Sequence, residues 1–334
     1  MRLQITAIST VLLLIASCAP QSTIPMASET ETAEIPSAPQ PQPTPSYSNS
    51  ETETPEMPIG LQPQPTPSYS NEEYVPGGGF RQALDVYLPS AEEGPYPTIL
   101  ALHGGGFRAR NKDLYAPYAR HFTDQGYALV PANYRFVPEN SYPAQVEDAF
   151  CALAWIHATA AEFGFDTDRI FVMGDSAGGY LAAMLGTVDT PDLYQGDCPH
   201  EIPASNPPMG VVILYGFFDL TSLEAFPESN IQSSLEPLMG GSVDDLPLEK
   251  LHEMSPMSWI DGGEPPFLVI HGTEDRTIAA WVSEDFRDAL ETAGVDATLF
   301  QVQEGHAFFL RRLSPNVAAS LEVIDEFIAD LVDS

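Results

Sequence analysis

Between residues 169 and 185 the chain reads RIFVM, then GDSAGG, then YLAAML. A short apolar run, a turn with glycine at 174, 178 and 179, and a run of good helix formers leave one local arrangement, namely strand, sharp turn, helix. A side chain on so tight a turn leaves no room for neighbouring ones. Gly174 and Gly178 meet that demand, and Gly178 lets the following helix pack close. The turn lifts Ser176 clear of the backbone on both sides, as a nucleophile elbow requires.

The rest of the chain past Phe80 supplies a sheet for that turn to sit on. Apolar runs at 84–88, 98–103, 128–133, 169–173, 210–215, 267–270 and 297–302 alternate with helical patterns. Most are apolar throughout, as strands buried on both faces must be. This predicts an α/β architecture, a doubly wound and mostly parallel sheet with little or no cap before the first strand. The clearest helix spans 315–331: Ser314 can cap it, Pro315 suits its first turn, and Val317, Leu321, Ile324, Ile328 and Leu331 share one face. The stretch 217–263 breaks the alternation with Pro, Met, Glu and Ser, and reads as short helices forming a lid or pocket wall.

A serine hydroxyl is a poor nucleophile at neutral pH, so a base must take its proton and a carboxylate must hold that base in one tautomer. In such sheets the order along the chain is Ser, acid, His. His306, in EGHAFF, follows the last strand run, and Asp275, in HGTEDRTI, follows the one before it. Both fall at strand ends, where ligands bind in open α/β sheets. Asp219 and Glu274 compete with Asp275 for the acid's place. The remaining histidines, at 103, 121, 157, 200, 252 and 271, read as structural; His103 opens HGGG and props that loop. No pair of them has the spacing and carboxylate company of a metal site, so no metal is expected. The glycines after His103 can turn backbone N–H groups toward one point, where together with the N–H of Ala177 they would stabilise an oxyanion.

HGGGF, NYRF with PAQVEDAF, DRIFVMGDSAGG, HGTED and EGHAFF together resemble the hormone-sensitive-lipase-like carboxylesterases and the related bacterial BD-FAE esterases of the α/β-hydrolase fold. The resemblance implies a cofactor-independent hydrolase of short-chain carboxylic esters working through an acyl-enzyme. It assigns Ser176, Asp275 and His306 as the triad and Gly105, Gly106 and Ala177 as oxyanion donors. Two other readings stay open, an amide-cleaving enzyme of formamidase or peptidase type on the same site, and a surface binding module without turnover. The lipase-like relatives carry an N-terminal helical cap and a DPLxD acid motif, and this chain shows neither. A more open pocket follows, suited to small acyl groups on bulky alcohols.

Residues 1–17 carry Arg2 and an apolar run at 11–16, which reads as a secretory signal. Ile15-Ala16-Ser17-Cys18 resembles the lipobox of bacterial lipoproteins, which implies an acylated Cys18, an exported protein and a membrane tether; an ordinary cleavage site is the alternative. From 18 to 79 the chain is rich in Pro, Ser, Thr, Gln and Glu, carries no Lys or Arg, and repeats QPQPTPSYSN at 40–49 and 62–71, the composition of a disordered spacer. The catalytic domain is then expected at 80–334. Cys151 and Cys198 are candidates for one disulfide, which spacing alone cannot establish. A formal charge of −34 argues against nucleic-acid binding and equally against anionic substrates.

Overall fold

The computed structural model describes residues 64–90, 93–202, 207–311 and 314–334, all within one compact unit. The signal, Cys18, the first repeat copy and most of the spacer lie outside the described residues. An eight-stranded sheet runs in the order β1-β2-β4-β3-β5-β6-β7-β8. Its strands are β1 Tyr69–Glu73, β2 Ala83–Val86, β3 Tyr96–Leu102, β4 Ala128–Ala132, β5 Phe165–Asp175, β6 Gly210–Leu214, β7 Phe267–Gly272 and β8 Ala297–Val302. From β4 to β8 every neighbouring pair is parallel, whereas β1 and β2 run antiparallel at one edge.

The helices in chain order are α1 Ala119–Thr123, α2 Ala144–Phe163, α3 Ala177–Thr187, α4 Glu228–Asn230, α5 Glu236–Met239, α6 Leu248–Glu253, α7 Trp281–Ala293 and α8 Pro315–Val332. Strand periodicity sorts the core into two layers, because successive side chains point to opposite faces. Leu100, Leu102, Val172, Ile213 and Val269 pack with α2, α3 and α7. Ile99, Ala101, Phe171, Leu214 and Ile270 pack with α1 and α8 on the other face. Helix α8 is capped by Ser314 Oγ, which accepts the Asn316 amide, and it buries Val317, Leu321, Ile324 and Ile328.

The folded region begins before Phe80, where the composition changes. β1 lies inside the stretch read as spacer and includes the end of the second repeat copy. Its side chains are mostly exposed, so its polar sequence carries no burial signal; backbone pairing with β2 holds it at the edge. Tyr74 follows it, fully buried, and its hydroxyl donates to Asn133 O at 2.9 Å. Cys151 on α2 and Cys198 are joined in a disulfide that ties α2 to the loop after Pro191–Tyr194. The stretch 217–263 forms short helices, α4 to α6 with 3₁₀ and π turns between them.

Candidate active site

Four loops leave the carboxyl ends of β3, β5, β7 and β8 and meet above the middle of the sheet. Ser176 stands at the elbow between β5 and α3 with φ 52° and ψ −115°, outside the ordinary allowed regions. That strained turn survives because nothing crowds it. A Cβ on Gly174 would stand 2.1 Å from Gly178 O, and one on Gly178 would stand 1.9 Å from Leu102 O. Helix α3 therefore starts pressed against the end of β3.

Ser176 Oγ lies 2.9 Å from His306 Nε2, and His306 Nδ1 lies 2.6 Å from Asp275 Oδ2. A carboxylate only accepts, so Nδ1 carries the proton and Nε2 offers its lone pair to the serine hydroxyl. Asp275 is held from several directions. Its Oδ1 accepts the amides of Thr277 at 2.7 Å and Ile278 at 3.0 Å. Burial alone would push this carboxyl up, but hydrogen bonds from His271, His306 and the Ile278 amide together hold it well below the ordinary carboxylate range. It is therefore ionised at neutral pH.

His271, legible in the sequence only as a strand end, is a second imidazole on that carboxylate. It is fully buried, with Nε2 3.3 Å from Asp275 Oδ2 and 3.2 Å from Ile278 O. Both neighbours are acceptors, so Nε2 bears the proton, and Ser283 Oγ–H donates to Nδ1 at 2.7 Å. His271 and His306 thus converge on Oδ2 of Asp275, while the backbone amides hold Oδ1. The rival acids are elsewhere: Asp219 Oδ1 closes on the amide and hydroxyl of Thr221, and Glu274 accepts from Gln303. Of the other histidines, His121 pairs with Asp325, His200 meets Tyr74 O and His252 meets Ser258 Oγ.

Gly105, Gly106 and Ala177 all line a cavity of about 240 Å³ beside Ser176 and His306. Among the described residues their backbone N–H groups have no protein acceptor, which leaves them free for an oxygen bound there. The glycine loop is tied to the elbow by Asp175, whose Oδ1 accepts the Gly104 amide at 2.8 Å and the Tyr115 hydroxyl at 3.1 Å. Burial raises the Asp175 carboxyl, against the pull of those two bonds. Nothing in the sequence distinguished Asp175 beyond its place next to the serine. Phe217, Phe226, Asn230, Ser234 and Leu235 form the cavity's far wall, and Asn230 Nδ2 donates to Thr277 O at 3.2 Å, pinning that wall to the acid loop.

His103 supports the glycine loop from below. Its ring stacks on Tyr134 at 4.5 Å, and its Nδ1 bonds Gly104 O at 2.7 Å. Burial, outweighing that bond, pushes its pKa down to about 4. An unfolded histidine titrates near 6.5, so folding is favoured by this group's neutrality above about 6.5 and loses that support as pH falls toward 4. The expected result is that the stability advantage of the parent over His103→Gln shrinks by about 2–3 kcal/mol between pH 7 and pH 4.5, read from urea midpoints. A difference that does not change with pH would contradict it.

An open α/β sheet with a serine elbow, an imidazole and a carboxylate in line, and amides facing the same cavity defines the α/β-hydrolase fold. The BD-FAE family model matches residues 84–290, and the chain belongs to that family. It is similar to the probable carboxylic ester hydrolase LipM of Mycobacterium tuberculosis, 27% identical over 71% of this chain and 55% of LipM. With the esterase LipQ of the same organism it shares 30% identity over 75% of this chain and 60% of LipQ. The chain thus spans little more than half the length of these curated relatives. Among solved structures, the Thermogutta terrifontis esterase Est2 matches with TM-score 0.66 at 25% identity, covering 82% of this chain and 96% of Est2. A truncated carbohydrate esterase from gut microbiota shares the fold at TM-score 0.69 and 23% identity, over 80% of this chain and 96% of that one.

Proposed function

We propose that the protein is a serine carboxylesterase acting on esters with small acyl groups. The observation that carries this reading is the unbroken line from Ser176 Oγ through His306 to Asp275, at 2.9 and 2.6 Å, with unpaired amides facing the same cavity. Ser176 Oγ attacks the ester carbonyl as His306 Nε2 takes its proton. Negative charge gathers on the carbonyl oxygen, where the amides of Gly105, Gly106 and Ala177 receive it. The imidazolium then protonates the departing alkoxide, leaving an acyl-serine. Water, deprotonated by the same imidazole, releases the acid and restores the site. Asp275 stays ionised throughout and stabilises the charged imidazole.

The cavity's modest volume, about 240 Å³, supports small acyl groups, and among the described residues no N-terminal helical cap covers its open side. The names of the relatives, esterases and a carboxylic ester hydrolase, support ester over amide cleavage. Acetyl or feruloyl groups on polysaccharides fit the same reading, as does export with a lipid anchor at Cys18. The test is a panel of 4-nitrophenyl acetate, butyrate and octanoate, acetylated xylan, and a formyl amide. Hydrolysis falling steeply from butyrate to octanoate, with the amide slower than every short ester, is expected. Amide cleavage outpacing all the esters would overturn the proposal.

A further inference from the structure

The chain holds 47 acidic residues against 13 basic ones, so a cation anywhere on its surface should find a carboxylate. Lys112, Arg135, Arg169, Lys250, Arg287 and Arg311 each lie within 4 Å of one. Among the described residues Arg81, Arg108, Arg110, Arg120 and Arg276 form no ion pair, and of these Arg108 and Arg110 line the cavity above Ser176. The charge of Arg110 reaches the buried Asp175 carboxyl only through space, since the hydrogen-bond donors to that carboxylate are Gly104 and Tyr115.

The backbone gives a second, independent observation. Arg110 sits at φ 74°, a left-handed conformation that glycine or asparagine adopts more cheaply. Its stem passes over the glycine loop, since a Cβ on Gly105 would meet Arg110 Cγ at 3.4 Å. The strained position is also clamped. Arg81 Nη1 donates to Arg110 O at 3.1 Å, while the Arg81 guanidinium lies 3.6 Å over the Phe136 ring. A guanidinium anchored on an aromatic ring thus holds a second cation in an unfavourable backbone conformation, facing the reaction cavity. Such strain persists where the surrounding structure over-determines it, and it concentrates at ligand sites.

We propose that Arg108 and Arg110 form an anion subsite at the mouth of the cavity, and that the preferred substrates are esters carrying a second, ionised carboxylate. This rests on the esterase reading above. The far field of a −34 chain disfavours anions at a distance, but it is screened beyond about 8 Å at physiological salt. A carboxylate already docked against the guanidinium groups feels those groups first. The carboxylate can sit on the acyl part, as in a hemiester of a dicarboxylic acid, or on the alcohol part, as in an acetylated uronic acid.

The experiment compares kcat/KM for matched pairs. In the acyl arm the pair is 4-nitrophenyl hemiglutarate against 4-nitrophenyl valerate; in the alcohol arm it is O-acetyl galacturonate against O-acetyl galactose. The parent is expected to favour the anionic member in one arm, through a lower KM, and to lose that preference in 0.5 M NaCl, where the Debye length shrinks to roughly 4 Å. Arg108→Gln with Arg110→Gln is expected to reduce the anionic-to-neutral ratio by roughly ten-fold or more. Arg110→Gly separates subsite from fold, because it removes the cation while relieving the left-handed strain: its melting temperature should stay within ~2 °C of the parent as the ratio falls. A parent with no salt-sensitive preference in either arm, or variants that lower both rates by one factor, would overturn the subsite. Should the parent cleave no ester at all, the esterase reading fails separately. Titration of Ser176→Ala protein with monomethyl glutarate and with methyl valerate then still decides the subsite, and equal affinities would sink it.

Discussion

Ser176→Ala is expected to lower kcat for 4-nitrophenyl acetate by ~10⁴-fold or more, to a remnant of activity owed to the oxyanion amides and to binding. The physical reason is local. The hydroxyl lies 2.9 Å from His306 Nε2 at the apex of a turn whose glycines admit no alternative side chain. Among the described residues no other hydroxyl is hydrogen-bonded to the His306 ring. Alanine keeps the Cβ and therefore the same backbone strain at φ 52°, so the melting temperature should change little. Loss of activity with an unchanged melting curve, together with loss of fluorophosphonate labelling, is the expected pair of results. A variant that turns over at the parent rate would remove Ser176 from the mechanism and leave the 2.9 Å contact without a function.

Asp275→Asn is the second large effect, with kcat expected to fall by ~10³–10⁴ and KM to move little. The substitution nearly preserves shape and volume but not polarity. Asp275 now accepts from four donors: the Thr277 and Ile278 amides, His306 Nδ1 and His271 Nε2. A side-chain amide has one oxygen, so its NH₂ must face either the two backbone amides or the two imidazoles. Facing the imidazoles, it turns His306 into the wrong tautomer, with the proton on Nε2 and no lone pair for Ser176. Facing the backbone, it sets donor against donor and loosens the acid loop. Either way the negative charge that stabilises the imidazolium is gone. Steady-state kinetics on folded variant protein check this, and a kcat within about three-fold of the parent would rule out Asp275 as the group that orients His306.

Much of this arrangement is legible in the sequence, for reasons that differ residue by residue. The elbow at Ser176 is legible because its determinants are local: an apolar run, glycines at 174 and 178, and a helix-forming run stand close together between residues 169 and 185. Strands β3 to β7 are legible because burial on both faces demands apolar runs, and short apolar runs are visible in a sequence. The boundaries are less so. β5 begins at Phe165 and β7 extends to Gly272, because pairing with neighbouring strands continues past the residues whose apolarity announces them. β1 is invisible for the opposite reason. Its strand is polar and exposed, and only the backbone of β2 makes it a strand.

The sequence by itself determined the alternation of strand and helix, the strained turn under Ser176, and the chain order in which a serine, a carboxylate and an imidazole leave strand ends. Those are local or ordered properties, and local chemistry specifies them. It favoured Asp275 over Asp219 and Glu274 by its place at a strand end, but it could not see His271 behind that carboxylate or Asp175 under the glycine loop, or notice that Arg108 and Arg110 face the cavity without ion-pair partners. Those facts depend on distances between residues far apart in the chain, and such distances come into being only when the sheet assembles and brings its loops to one edge.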